Sequence, residues 1–314
     1  MAESSRERQK WLHVQNKSEL QACVTSVDFT WNFEEFRKNG IRSNYPLRLW
    51  YASGASDTWI GLTSIADFSP YGQKTKMLLT AAGVDFKKVD VPPVLPRPEL
   101  EKLDITYRRI PLLAVGKDVY ADSSLICDVI TKKLAPGKIP TSPADDAYNI
   151  WGSTVFSEIL SLIPGEVLTD GFVKDRAPIF PFLFRPDIKT LRPSGVGQLR
   201  ARMKQVEEKF LAHGGTFIGG DKLSMADIHV MWPISWVMNN LGAKDEPGLG
   251  KNDFPKVWKL IESLPSFGPS AISADEAAKT ITGAQYSAEG PSSVQKGDPL
   301  GIPAGTMVNV ENFE

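Results

Sequence analysis

Cysteine and histidine are scarce: Cys23 and Cys127 are the two thiols, and His13, His213 and His229 the three imidazoles, of a 314-residue chain. The cysteines stand far apart and form no C-x-x-C, which argues against a zinc ribbon, a dithiol redox motif and a disulfide framework. No two histidines stand at metal-ligand spacing, so no metal is expected. Charge of one sign is also lacking. Lys and Arg total 36 against 37 Asp and Glu, and no local basic patch offsets that balance, so no nucleic acid partner is expected. Nowhere does an uninterrupted apolar run reach about eighteen residues, and the charged start from Met1 leads into no apolar core. The expectation is a cytoplasmic, soluble protein with no membrane partner.

What is present is ordinary globular material. Hydrophobic residues make up 42% and charged residues 23%, and eight Trp with fifteen Phe supply a sizeable core. The length is about twice that of a typical single domain, so two folded units with appendages are expected.

Along the chain, residues 46–52 and 58–66 each read as a strand that a following helix could pack on, and the pattern does not choose between them. Ser69 and Pro70 then open a helix, serine as N-cap and proline at the first helical position, and Gly83 stops it. Lys74, Lys76 and Gln73 read as its polar positions, alternating with Met77, Leu78 and Leu79. A strand at 86–89, a proline-rich connection at 92–98, a short helix around Leu100, strands at 108–115 and 119–121, and a helix from Asp122 to about 134 complete an α/β unit. Beyond the linker everything reads as helical, over 144–162, 194–213, 224–240 and 254–264, interrupted by a Pro- and Phe-rich segment, 164–193, that no helix could cross unbroken. The division expected is an N-terminal extension, 1–45; an α/β domain, 46–134; a linker, 135–148; an all-helical domain, 149–269; and a tail, 270–314. The last stretch, 297–310, resembles a loop entering one strand of an incomplete small β module.

Three motifs carry a resemblance. Phe68-Ser-Pro-Tyr-Gly-Gln-Lys74, Arg109-Ile-Pro-Leu-Leu113 and Ala121-Asp-Ser-Ser-Leu-Ile126 resemble the glutathione-contacting motifs of the thioredoxin-like domain of cytosolic glutathione transferases. Phe217-Ile-Gly-Gly-Asp-Lys-Leu-Ser-Met-Ala-Asp-Ile228 resembles the capping-box signature of that family's helical domain. The wider pattern, with its proline-rich connection, resembles a fungal branch of the family. The resemblance implies a thioredoxin-like α/β domain followed by an all-α bundle, glutathione as co-substrate without a metal, a hydrophobic small-molecule electrophile as second partner, a detoxifying role and a homodimer. No stretch of this sequence identifies the dimer interface.

In such a site Ser69 would hold the thiol of glutathione as thiolate, helped by the free N–H groups of its helix, although an N-cap serine also has a purely structural use. Tyr71 is the rival hydroxyl, one position into the helix and pointing elsewhere. Pro111 resembles the family's cis-proline, which would let Ile110 offer its backbone to the cysteinyl part; an ordinary trans proline at a strand start is the alternative. Asp122 and Ser123 stand where the family carries an acidic-Ser pair for the γ-glutamyl group, and both could equally be plain cap residues. Lys102, Arg108 and Arg109 are weaker candidates for the glycyl carboxylate. Ser224 and Asp227 form a structural capping box, His229 reads as a satisfied buried histidine, and Pro233 predicts a kink. The Phe-rich segment could roof an electrophile pocket or merely cover the bundle. Three functions remain open: a glutathione transferase, a non-catalytic binding or regulatory relative, and a glutathione-dependent peroxidase or reductase.

Overall fold

The computed structural model describes residues 50–52, 60–64, 68–103, 105, 107–266, 268–286 and 299–303. The N-terminal extension, and the terminal stretch apart from 299–303, lie outside the described residues.

Both candidate first strands enter one five-stranded sheet. Strand β1 is Trp50–Ala52, β2 is Ile60–Ser64, β3 is Lys87–Val91, β4 is Leu112–Val115 and β5 is Asp118–Ala121, and the spatial order is β3-β2-β1-β4-β5. Strand β2 runs parallel to β3, with Thr63 opposite Asp90, and antiparallel to β4, with Leu62 opposite Leu112. It is therefore the strand that leads into the first helix. β1 adds on beside it, antiparallel to β2 and parallel to β4.

The helices of this half follow the caps. Helix α1, Pro70–Ala81, begins after Ser69, whose hydroxyl accepts the Gly72 N–H at 3.2 Å. Helix α2 is only four residues, Pro98–Glu101, and α3, Ser123–Asp128, continues as a wider-wound turn over Val129–Leu134. Alternation on β4 sorts the core into two faces. Leu113 and Val115 pack under α1 and α3, while Leu112 and Ala114 face the other way, with Val89, Val91 and Leu100.

Helix α2 is too short to cover that second face. The cover comes from the other end of the chain, where helix α9, Ala274–Gly283, places Ala277 and Ile281 against it. Its approach is fixed at the β3 edge, where Lys88 N–H donates to Ser270 O and Ile272 N–H to Lys88 O, and its exit at the β4–β5 turn, where Lys117 N–H donates to Gln285 O. The start of the tail is thus part of the first domain's core. The described residues of 297–310 form a turn and loop without a strand.

The second half is helical: α4, Asp145–Glu158, α5, Asp170–Arg176, α6, Arg192–Gln205, α7, Met225–Asn240, and α8, Pro255–Ser263. The Phe-rich stretch contributes α5 and two single 3₁₀ turns, Pro181–Phe184 and Ile188–Thr190. Helix α7 is apolar on nearly every side, as a central helix must be. Met225 and Ile228 at its start pack with the α/β core, and Trp232, Ile234 and Val237 with the helical core. The box at its start is formed, with Ser224 N–H and Oγ both donating to Asp227 Oδ2, at 2.8 and 2.7 Å.

Candidate functional site

The ladder register places three loops at one end of the sheet. Leu112 pairs with Leu62 and also with Ala121, so Ile110 and Pro111, just before β4, lie beside the outgoing end of β2 and beside Asp122. From β2 the chain runs on to Ser69 at the start of α1. The Ile110–Pro111 peptide is cis, as is Leu95–Pro96.

At Ser69 the Gly72 N–H occupies one lone pair of the hydroxyl, which leaves the proton free to be donated outward. Helix α1 has no acidic residue in its first turn, so the positive end of its dipole is not offset there. The preceding peptide is anchored from the other domain: Trp236 Nε1 on α7 donates to the Phe68 carbonyl at 2.8 Å.

Tyr71 turns into the helical domain. Its ring lies 4.6 Å from that of Trp232 and 5.2 Å from that of Phe156, and its hydroxyl bonds Ser153. Burial first, then Asp122, raise its pKa to about 12, with Arg109 and Ser153 acting against them. It is a neutral, engaged hydroxyl.

Asp122 caps α3 through Oδ1, which accepts the Ser124 N–H at 2.7 Å. Its φ of 75° is the one positive value at a non-glycine residue among the described residues. That conformation costs about 1–3 kcal/mol and is typically held where function needs it. Ser123 is half-buried beside it.

The structure adds residues that the pattern does not reveal. Lys74, expected as a polar surface position, is 1% exposed, and its ammonium donates to Asn149 Oδ1 on α4 at 2.7 Å. Asn149 Nδ2 donates in turn to Ser124 Oγ at 3.0 Å. Burial lowers the Lys74 pKa, and Cys127 and Asp122 oppose that shift, while the Cys127 thiol is pushed up to about 11 chiefly by its own burial. The sequence signal for Lys74 was available: it stands one helical turn before Leu78, on the face that the apolar residues mark as core.

Of the three basic candidates, Lys102 is taken up by Asp275 on α9, 2.6 Å away. Arg108 meets Asp175, Nη2 to Oδ1 at 3.2 Å, and also bonds the Asp175 carbonyl. Arg109 is near enough to Tyr71 for its charge to lower that hydroxyl's pKa. Asp175 belongs to α5, and with Arg176 it straps the helical domain to the proline-rich loop. Arg176 bonds Pro93 O, and Leu95 N–H donates to Asp175 Oδ1 at 3.3 Å. From within, Arg97, 2% exposed, bonds the carbonyls of Pro92, Pro93 and Arg108. The Phe-rich segment therefore does two things: Phe172, Phe180 and Phe182 pack on the bundle, and α5 closes against the loop that flanks Arg108.

His229 is buried, but its Nδ1 has no hydrogen-bond partner among the described residues, so the expected satisfied histidine is not what the structure contains. Burial, with the Lys74 charge second, holds it neutral, with a pKa of about 3.

Residues 64–137 match the family model described as glutathione S-transferase, N-terminal domain, and residues 160–270 match a domain of unknown function, DUF7962. No curated protein matches the sequence. Among solved structures, a GST-like protein from Pseudomonas syringae is 25% identical over 78% of this chain and 81% of that one, with a TM-score of 0.57. A Tau class glutathione S-transferase from mango, Mangifera indica, is 16% identical over 70% and 95%, with a TM-score of 0.48. A glutathione transferase homolog from Drosophila mojavensis, with bound glutathione, is 18% identical over 72% and 97%, with a TM-score of 0.44.

Proposed function

Because the chain belongs to the cytosolic glutathione transferase superfamily, we propose that it binds glutathione at the sheet end described above and transfers it, as thiolate, to a hydrophobic electrophile. The observation that carries the reading is the Ser69 hydroxyl, held by the Gly72 N–H at a helix start with its proton free to donate. A cysteine-type thiol has a pKa of about 8.5, and a donor together with a helix N-terminus lowers it. The thiolate sulfur then attacks the electrophilic carbon, and the leaving group departs with the bonding pair. Holding the two reactants together supplies much of the remaining acceleration. Ile110 would align the cysteinyl backbone and Ser123 would receive the γ-glutamyl carboxylate, with Asp122 facing its ammonium. Apolar surface for the electrophile would come from the half-buried Phe172, Phe180 and Phe182, which pack on the enclosed aromatic core of Phe156, Trp232 and Trp236.

The test is retention on immobilised glutathione and conjugation of an activated chloronitrobenzene. Ser69→Ala should keep the binding and lose rate by about tenfold for each unit by which the thiol pKa rises, and the ultraviolet absorbance of the bound thiolate should fall in parallel. Retention without turnover would favour a non-catalytic relative. No retention would exclude both the transferase and a glutathione-dependent peroxidase.

A further inference from the structure

Lys74 is a charge enclosed in the protein with neutral partners. Its ammonium donates to an amide oxygen, Asn149 Oδ1, and lies 5.9 Å from the centre of the Trp232 ring. No carboxylate forms an ion pair with it among the described residues. Removing a charge from water costs several kcal/mol unless something compensates, and the titratable groups that act on it are Cys127 and His229, both buried, and Asp122 at the mouth of the site.

The hydrogen bonds leading away from this charge have one direction. An ammonium can only donate, so the group that Asn149 turns towards it must be Oδ1. The amide NH₂ then faces Ser124 Oγ and donates to it. Having accepted there, the Ser124 hydroxyl keeps its own proton to give, and Ser124 stands half-buried at the start of α3, next to Ser123. The backbone N–H of Ser124 is held by Asp122. A line of donors thus runs from the buried Lys74 to a half-buried hydroxyl, flanked by one carboxylate. The complement of that arrangement is an α-amino acid end: a carboxylate on the hydroxyl side and an ammonium on the Asp122 side.

We propose that Lys74 is a positioning residue for the γ-glutamyl end of glutathione, acting through Asn149 to aim the Ser124 hydroxyl at the α-carboxylate, whose negative charge its ammonium balances. The proposal rests on the glutathione reading above and deepens it. Lys74 takes no part in proton transfer; the residue orients a donor and touches neither the sulfur nor the electrophile.

The experiment compares two ligands by titration calorimetry: glutathione, and 4-aminobutanoyl-cysteinylglycine, which lacks only the α-carboxylate. Lys74→Met and Ser124→Ala should each bind glutathione about tenfold more weakly, the size of one charge-assisted hydrogen bond, and bind the analogue as the wild type does. The double variant should be no weaker than the singles, because both cut one line. In conjugation the loss should sit in KM for glutathione, with kcat changed by no more than about twofold, as for an interaction made equally in ground and transition states. If Lys74→Met does not fold, Ser124→Ala must show the same selective loss for the proposal to stand. Equal weakening for both ligands, or unchanged glutathione affinity, overturns the proposal while leaving the transferase reading intact. A wild-type chain that binds neither ligand overturns both.

Discussion

Trp236 on α7 holds the peptide that leads into Ser69: its Nε1 donates to the Phe68 carbonyl at 2.8 Å, and the Phe68 ring stands edge-on to the indole at 5.9 Å. The start of α1 is therefore positioned by the helical domain as well as by its own sheet. In Trp236→Phe the packing is largely kept and the donor lost. Leaving that carbonyl without a partner is expected to cost about 1–3 kcal/mol, which a thermal melt will show as a drop of several degrees. Conjugation should fall by more than glutathione binding does, because Ser69 is the residue displaced. Equal losses in the two would point to a general loosening of the fold.

Helices α4 and α7 cross where Gly152 meets the His229 carbonyl. Pro233 has no N–H to offer that carbonyl, four residues back, and a Cβ at position 152 would run into its oxygen and come within 3.1 Å of Trp232 Nε1. Gly152→Ala is expected to destabilise the protein by about 1–3 kcal/mol, as overpacking does. Chemical denaturation will show it as a lower midpoint with an unchanged slope.

The stability of the protein should depend on pH through His229. In the folded state its pKa is about 3 against an ordinary 6.5, so between these values the unfolded chain takes up a proton that the folded chain refuses. Stability is unaffected above pH 6.5 and falls on acidification below it, by about 1.4 kcal/mol per pH unit from this group. His229→Gln should flatten the melting temperature between pH 6.5 and 4.5, and an unchanged slope would place the acid sensitivity elsewhere.

Helix α9 presses Ala277, 1% exposed, onto the sheet face that α2 leaves open. Ala277→Asp places an unpaired carboxylate there and is expected to cost about 3 kcal/mol or more. Retention on immobilised glutathione should be lost with it, whereas the same change at the exposed Lys279 should be neutral. Two variants that melt alike would show that α9 is not a structural part of the first domain.

What could be read from the sequence is what neighbours in sequence decide. Ser69 with Pro70 and Gly83 bracket α1, and Ser224 with Asp227 open α7, because caps act within a few residues. The unbroken apolar run at 112–115 marks a strand buried on both faces for the same local reason. Lys74 was misplaced because its burial is decided by Asn149, distant in sequence, and by Trp232, more distant still. The pattern of α1 lines Lys74 up with Leu78 on the apolar face, but a lysine by its chemistry speaks for the surface, and only those partners overrule it. Residues 46–52 and 58–66 read from the sequence as rival first strands, and include β1 and β2 respectively, because their partners β3 and β4 lie further along the chain. Helix α9 shows in its sequence only Ala277 and Ile281 as an apolar pair among small residues, too little to define a helix until there is a sheet face for it to cover. Asp175 and Arg176 lie in a segment whose prolines obscure its single helical stretch, although Thr169 caps it by accepting the Phe172 N–H.

The position of α9 also bears on the order in which the molecule can assemble. Leu112 and Ala114 face a helix that is synthesised only after the entire helical domain, so a nascent chain carrying the sheet exposes one apolar face until Ile281 has left the ribosome. The first domain cannot reach its final form ahead of the second, contrary to the usual vectorial order. The contacts that complete it close a loop of more than 150 residues, from Leu112 to Ala277, and such long-range closure makes for slow folding. The last strong stabilisation of the α/β half thus waits for a helix made after the whole helical domain, when the chain returns to its own earlier sheet.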